Sequence, residues 1–226
     1  MKKYAIAFLC ALLTLALCGA AVAETVYVTI ADGQGQLVMV NAAIDVTDID
    51  ADGALTINDA LYAAHEAAYE GGAEAGYAAA DAGYGLSISN LWGEENGGSY
   101  GYYLNDVSAY SLLDPVADGD YLNAFVYTDL EAWSDVYCAF DCVSAEMDAG
   151  TVLDLTLNMM TFDENWNPVS LPVEGAILTI DGEDSEVVTD AEGKAQFTIE
   201  AAGEYLISAR SDSAILVPPV CIVTVK

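Results

Sequence analysis

Asp48, Asp50, Asp52 and Asp59 occupy the first, third, fifth and twelfth places of a twelve-residue stretch whose sixth place is Gly53. Alternate side chains of a tight turn project to one side, and glycine permits the sharp bend between them, so this spacing gathers oxygens around a hard cation. On that pattern Asp48, Asp50 and Asp52 supply carboxylates, Ala54 its backbone carbonyl and Thr56 a hydroxyl or a bound water, while Asp59 closes the shell. The chemistry indicated is Ca2+ binding, not a reaction. A plainer reading uses the same residues: Asp48 to Asp52 form a solvated Asx turn, and Thr56 with Asp59 forms a capping box at a helix start. The two readings overlap and can hold together.

The flanking elements fix what such a loop would join. Before it, Gln36 to Thr47 reads as a strand through Leu37, Val38, Val40, Ile44 and Val46, with no helical stripe. After it, Ile57, Leu61, Ala64 and Ala68 fall at helical spacing until Gly71-Gly72, which predicts a helix of about fourteen residues. Upstream, Thr25 to Ile30 alternates, and Asp32-Gly33-Gln34-Gly35 turns it into the next strand, so the pair reads as a hairpin. His65 and Glu66 lie on the polar flank of the helix without the second histidine of a zinc motif, and His65 is expected in solvent. Gly71 to Gly85 is predicted as loop, with a helical turn around Ala75 to Ala80. Strands return at Leu86–Leu91, Ser99–Leu104 and Tyr121–Tyr127.

With Leu55 at loop position eight and Asp59-Ala60-Leu61 opening the helix, the stretch resembles one repeat of a dockerin, the EF-hand-like calcium module of cellulosome enzymes. It differs from the EF-hand in carrying Asp59 where glutamate binds through both oxygens, which implies weaker coordination. Dockerins carry two repeats and this sequence carries one, so cohesin binding does not follow. More widely, the helix start Ile57-Asn58-Asp59-Ala60-Leu61, the strand Tyr84-Gly85-Leu86-Ser87-Ile88, the aromatic strand Tyr100-Gly101-Tyr102-Tyr103-Leu104-Asn105 and the segment Val116-x-x-Gly119-Asp120-Tyr121 resemble the β-grasp family named for the C-terminal domain of transcobalamin. The resemblance covers Glu24 to Thr128. It implies an α+β β-grasp-like domain over residues 24–131 acting as a secreted small-ligand or surface module, or alternatively as an extracellular carrier of a corrinoid or similar ligand.

From Trp133 the pattern becomes short strands separated by turns, Val152–Met160 being the clearest, which predicts an all-β sandwich over residues 132–226. Val173-Glu174-Gly175-Ala176, Thr189-Asp190-Ala191-Glu192-Gly193-Lys194-Ala195 and Ala202-Gly203-Glu204-Tyr205 resemble bacterial immunoglobulin-like repeats, which implies a spacer or binding support. Asp181, Glu183 and Asp184, or Asp190 and Glu192, are further acids that either hold a second cation or are solvated turn residues.

Composition narrows the function classes. Met1-Lys2-Lys3 followed by an apolar run to Leu17 and by Ala21-Val22-Ala23 reads as a secretory signal peptide of bacterial type cleaved after Ala23. The run is too short for a stable transmembrane helix, and a lipoprotein reading at Cys18 has bulky Leu17 against it. Removal of Lys2 and Lys3 leaves Lys194, Arg210 and Lys226 against 36 acidic side chains, which disfavours nucleic acid and anionic membrane as partners. The expected location is extracellular or at the cell surface. With one histidine and no G-x-S-x-G, the triad routes lack material, and no enzyme is expected. Trp92, Tyr100 and Tyr102 are candidates to face a small molecule, glycan or protein surface; core packing explains the same residues. Cys138, Cys142 and Cys221 allow one bridge, with Cys138–Cys221 joining the first and last strands of the second domain, or buried free thiols.

Overall fold

The computed structural model describes residues 23–83 and 85–226. The signal peptide and the Cys18 lipidation alternative lie outside the described residues, apart from Ala23 at the junction. Strands make up 49% of the described residues and helix 8%, so the structure is mostly β, arranged in several sheets. Among the described residues no helix is long and apolar enough to cross a membrane.

In the first half the elements run β1 (Glu24–Ala31), β2 (Leu37–Val46), α1 (Ile57–Ala68), α2 (Gly72–Gly76), β3 (Tyr77–Asp81), β4 (Leu86–Leu91), β5 (Tyr100–Leu104), β6 (Val107–Ser108) and β7 (Tyr121–Val126). Five of the strands form one sheet in the order β2-β1-β7-β5-β6, in which β1 and β7 are parallel and the other pairs antiparallel. The period-two pattern of β1 puts Val26, Val28 and Ile30 inside, where Ile57, Leu61 and Ala64 of α1 join the same core. Each of these valine, leucine and isoleucine side chains contributes roughly 2 kcal/mol by leaving water. Gly101 in β5 is required by packing: a Cβ there would sit 2.2 Å from the Phe125 ring.

Two expectations change here. Ala75–Ala80 contains no helical turn beyond the end of α2; Tyr77–Asp81 is a strand paired antiparallel with β4. Tyr77 is buried and its hydroxyl donates to Asn58 Oδ1 at 2.9 Å, so tertiary pairing overrides the helical preference of the alanines. His65 is not in solvent but fully buried, ringed by Tyr69, Tyr77 and Trp92. Its Nε2 accepts the Trp92 N–H at 3.0 Å, which places the proton on Nδ1, 2.6 Å from the Leu61 carbonyl. The β3–β4 hairpin and the turn after it cover a helix flank that looked polar in the sequence.

The second half contains β8 (Val136–Phe140), β9 (Ser144–Met147), β10 (Val152–Phe162), β11 (Pro168–Pro172), β12 (Ile177–Ile180), β13 (Glu183–Val188), β14 (Lys194–Thr198), β15 (Gly203–Arg210), β16 (Leu216–Val217) and β17 (Cys221–Val225). One sheet runs β11-β10-β8-β16 with β14 also beside β10; the other runs β13-β12-β15-β17-β9. Phe140, Leu155, Leu157 and Phe197 from the first meet Leu178, Ile207 and Val223 from the second in one core. A smaller cluster of Ala31, Phe125, Tyr137 and Val217 joins the two halves. There Tyr137 stacks on Tyr103 with ring centroids 3.7 Å apart and donates to Asp106 at 2.8 Å.

Cys138, Cys142 and Cys221 are free thiols, and of the two expectations, a Cys138–Cys221 bridge or buried free thiols, the bridge is not formed. Cys138 faces the core and its thiol donates to the Val217 carbonyl; the sulfur beside Cys221 belongs to Cys142. The chain crosses from one sheet to the other between β8 and β9, which carries Cys142, not Cys138, to the start of β17.

Candidate metal centre

The twelve-residue loop leaves β2 at Val46 and enters α1 at Ile57, so its ends are held by a sheet and a helix that share one core. Its first half is a tight coil of carboxylate-capped amides. Asp52 N–H donates to Asp48 Oδ1 and to Asp50 Oδ1, Gly53 N–H to Asp48 Oδ2 at 2.8 Å, and Ala54 N–H to Asp52 Oδ1 at 2.8 Å. Gly53 adopts φ 92°, as the sixth-place glycine should, and Ala51 is left-handed at φ 59°.

This coil brings one carboxylate oxygen each from Asp48, Asp50 and Asp52 within 4.8 Å of one another. Ligands about 2.4 Å from a shared Ca2+ can be at most about twice that apart, so the three satisfy the size of one coordination sphere. Asp50 and Asp52 are exposed and Asp48 half-buried, leaving room for water to complete six to eight positions. The Gly53 N–H, with those of Ala51 and Asp52, holds the Asp48 carboxyl below its ordinary range. Asp50 is pushed above its ordinary value, first by lost hydration within the coil and then by the negative charges of Asp52 and Asp59. A cation between these groups would relieve that crowding. The donor set is all oxygen, the type that suits Ca2+.

Thr56 and Asp59 are placed differently. They form the capping box: Thr56 N–H and Thr56 Oγ1–H both donate to Asp59 Oδ2, at 2.8 and 2.6 Å, and Thr56 Oγ1 accepts the Asp59 N–H. Asp59 Oδ1 accepts the Ile49 N–H at 3.0 Å. Both side chains are buried and neither belongs to the group of three aspartates. Asp59 therefore ties the loop's second residue to the helix start, and three of its roughly four acceptor positions are used. Of the expected ligands, the structure brings together Asp48, Asp50 and Asp52, with Ala54 two residues further along the chain. The segment after β6 secures the far end: the Ile57 and Asn58 N–H groups donate to the carbonyls of Asp114 and Leu112, and Val116 N–H to that of Leu55. Sequence reasoning missed this strap because its partners lie more than fifty residues away.

The aromatic candidates are engaged in packing. Trp92 stands edge-on to Tyr69 and tilted against His65, both at 5.2 Å. The Tyr100 hydroxyl lies 2.8 Å from the Glu94 carbonyl and 3.0 Å from that of Ser89, and accepts the Asn96 N–H. Tyr102 packs, partly buried, on the first core. The acids proposed for a second cation are dispersed: Asp184 pairs with Arg210, Asp181 accepts the Leu206 N–H, and Asp190 accepts those of Glu192 and Lys194.

No protein-family model and no curated protein matches the sequence. Among solved structures, the N-terminal four Ig domains of Dscam1 isoform 4.44 match at 12% identity and a TM-score of 0.26, over 47% of this chain and 23% of that one. Those of isoform 6.9 match at 12% identity and 0.24, over 66% of this chain and 36% of that one. The chain thus spans well under half the length of either.

Proposed function

We propose that the chain is a secreted, non-enzymatic recognition or display module whose first unit is locked by one Ca2+. The observation that carries this reading is the convergence of Asp48, Asp50 and Asp52 on a coil anchored between strand and helix. Asp48, Asp50, Asp52 and the Ala54 carbonyl hold the ion, waters fill the remaining positions, and the Thr56–Asp59 box transmits the restraint to α1. The reading of the first 23 residues as a cleaved signal supports secretion.

The first unit is read as a β-grasp. In its support, the five sheet strands, taken in chain order without the β3–β4 hairpin, lie 2-1-5-3-4 with first and last parallel and the helix after the second. The second unit is read as an immunoglobulin-like sandwich. The parallel β9–β17 pair and the β12–β15–β17 run opposite β8–β10–β14 support that topology. The single histidine has both ring nitrogens bonded and no access to solvent, which weighs against general-base catalysis. The corrinoid-carrier alternative needs Trp92, Tyr100 and Tyr102 free to meet a ligand, and their packing gives it no support.

Thermal unfolding of the chain in excess Ca2+ and in chelator tests the lock. A melting temperature higher by about 10 °C with Ca2+ at a hundredfold excess over its dissociation constant is expected for a ligand that binds only the folded state. Identical melts with and without Ca2+ would reject it.

A further inference from the structure

Cys142 and Cys221 are 79 residues apart in sequence, yet their sulfurs lie 3.8 Å from each other. Cys142 sits half-buried at the corner between β8 and β9; Cys221 opens β17 and is fully buried. The main chains beside them are already joined, since the Ile222 N–H donates to the Val143 carbonyl at 2.9 Å and Ile222 pairs with Ser144 in the parallel ladder. Closing the sulfurs to the roughly 2.05 Å of a disulfide therefore requires side-chain adjustment, not rearrangement of the sheet. Cys138 is excluded from this pair by its own contact with the Val217 carbonyl.

We propose that Cys142 and Cys221 are the chain's disulfide-forming pair, oxidised by a small-molecule disulfide, and that Cys138 stays a thiol. Cys142 is the half-exposed partner, so its thiolate makes the first attack on the small disulfide. One thiol leaves and a mixed disulfide forms on Cys142 Sγ. Cys221 then loses its proton and attacks Cys142 Sγ, expelling the second thiol. Two protein thiols are thereby oxidised, and one external disulfide is reduced to two thiols. Burial holds both thiols above their ordinary range, so the reaction accelerates as pH rises. The bond staples the β8–β9 corner to β17, across a loop that contains most of the second core.

The test is to expose the folded, reduced full-length chain to oxidised glutathione, alkylate it under denaturing conditions and map the peptides without reductant. The expected product links the peptides of Cys142 and Cys221 and leaves Cys138 alkylated. Cys138→Ala is expected to give the same bridge, whereas Cys142→Ala gives none. The wild-type bridge is expected to raise the melting temperature by about 10 °C, as closure of a long loop does. A bridge to Cys138, or Cys142 and Cys221 both alkylated after oxidation, would overturn the proposal. So would a bridge that forms no faster in the folded chain than in guanidinium.

Discussion

Several turns among the described residues begin with an aspartate that collects backbone amides, and the one from Asp48 goes further. Asp32 Oδ1 accepts the N–H groups of Gln34 and Gln36, Asp163 Oδ1 those of Asn165 and Asn167, and Asp190 Oδ1 those of Glu192 and Lys194. In each, one carboxylate meets its donors and the turn is complete. The loop from Asp48 begins the same way, through the Asp52 and Gly53 amides, but adds Asp50 and Asp52 beside the first carboxylate. Its carboxylate oxygens outnumber its amides, and one oxygen from each aspartate lies within 4.8 Å of the others. The difference teaches that an Asx turn needs one acid, whereas crowding three against mutual repulsion makes structural sense with a cation among them.

The largest expected effect separates these two kinds of turn. Asp50→Ala with Asp52→Ala should abolish the Ca2+-dependent rise in melting temperature while leaving the chelator melt little changed, as followed by circular dichroism. Next comes Asp59→Asn. Because Asp59 serves the capping box, this change should cost about 1–2 kcal/mol in chelator as well as in Ca2+, measured by urea unfolding. A loss seen only in Ca2+ would make Asp59 a ligand in the manner of the other three.

A third expectation concerns the other end of the same helix, where His65 lies in the last turn. Burial holds the His65 pKa below its ordinary 6.5, so the folded chain resists a proton that the unfolded chain accepts. Stability from this group is therefore complete above 6.5 and declines as pH falls below it, with a slope of at most about 1.4 kcal/mol per pH unit. His65→Gln should flatten that part of the profile in denaturant titrations, and an unchanged slope would place its origin elsewhere. The smallest effect is Asp190→Ala, expected to cost about 0.5–1 kcal/mol in urea unfolding with no change in Ca2+ response.

What the sequence made legible follows from how local each signal is. The Asp48–Asp59 spacing, the β1–β2 hairpin and α1 depend on neighbours within a few residues, and the elements appear where the periodicity puts them. The capping box was legible too, as the reading that competed for Thr56 and Asp59. What could not be read depends on distant partners. The small residues of Tyr77–Asp81 become a strand because β4 lies beside them, and His65 is buried because Trp92 supplies a donor 27 positions away. The strand β11 is bounded by Pro168 and Pro172, residues that argue against a strand except at an edge, which is where it lies. Cys142 meets Cys221 only through the crossing between two sheets, which no spacing rule encodes.

Isothermal titration of Ca2+ into the chelator-treated chain tests the central claim most directly. Locking by the aspartate loop predicts one saturable binding event with one ion per chain, absent when Asp50 and Asp52 are both alanine. No heat in the wild type, or an unchanged isotherm in the double variant, would contradict it.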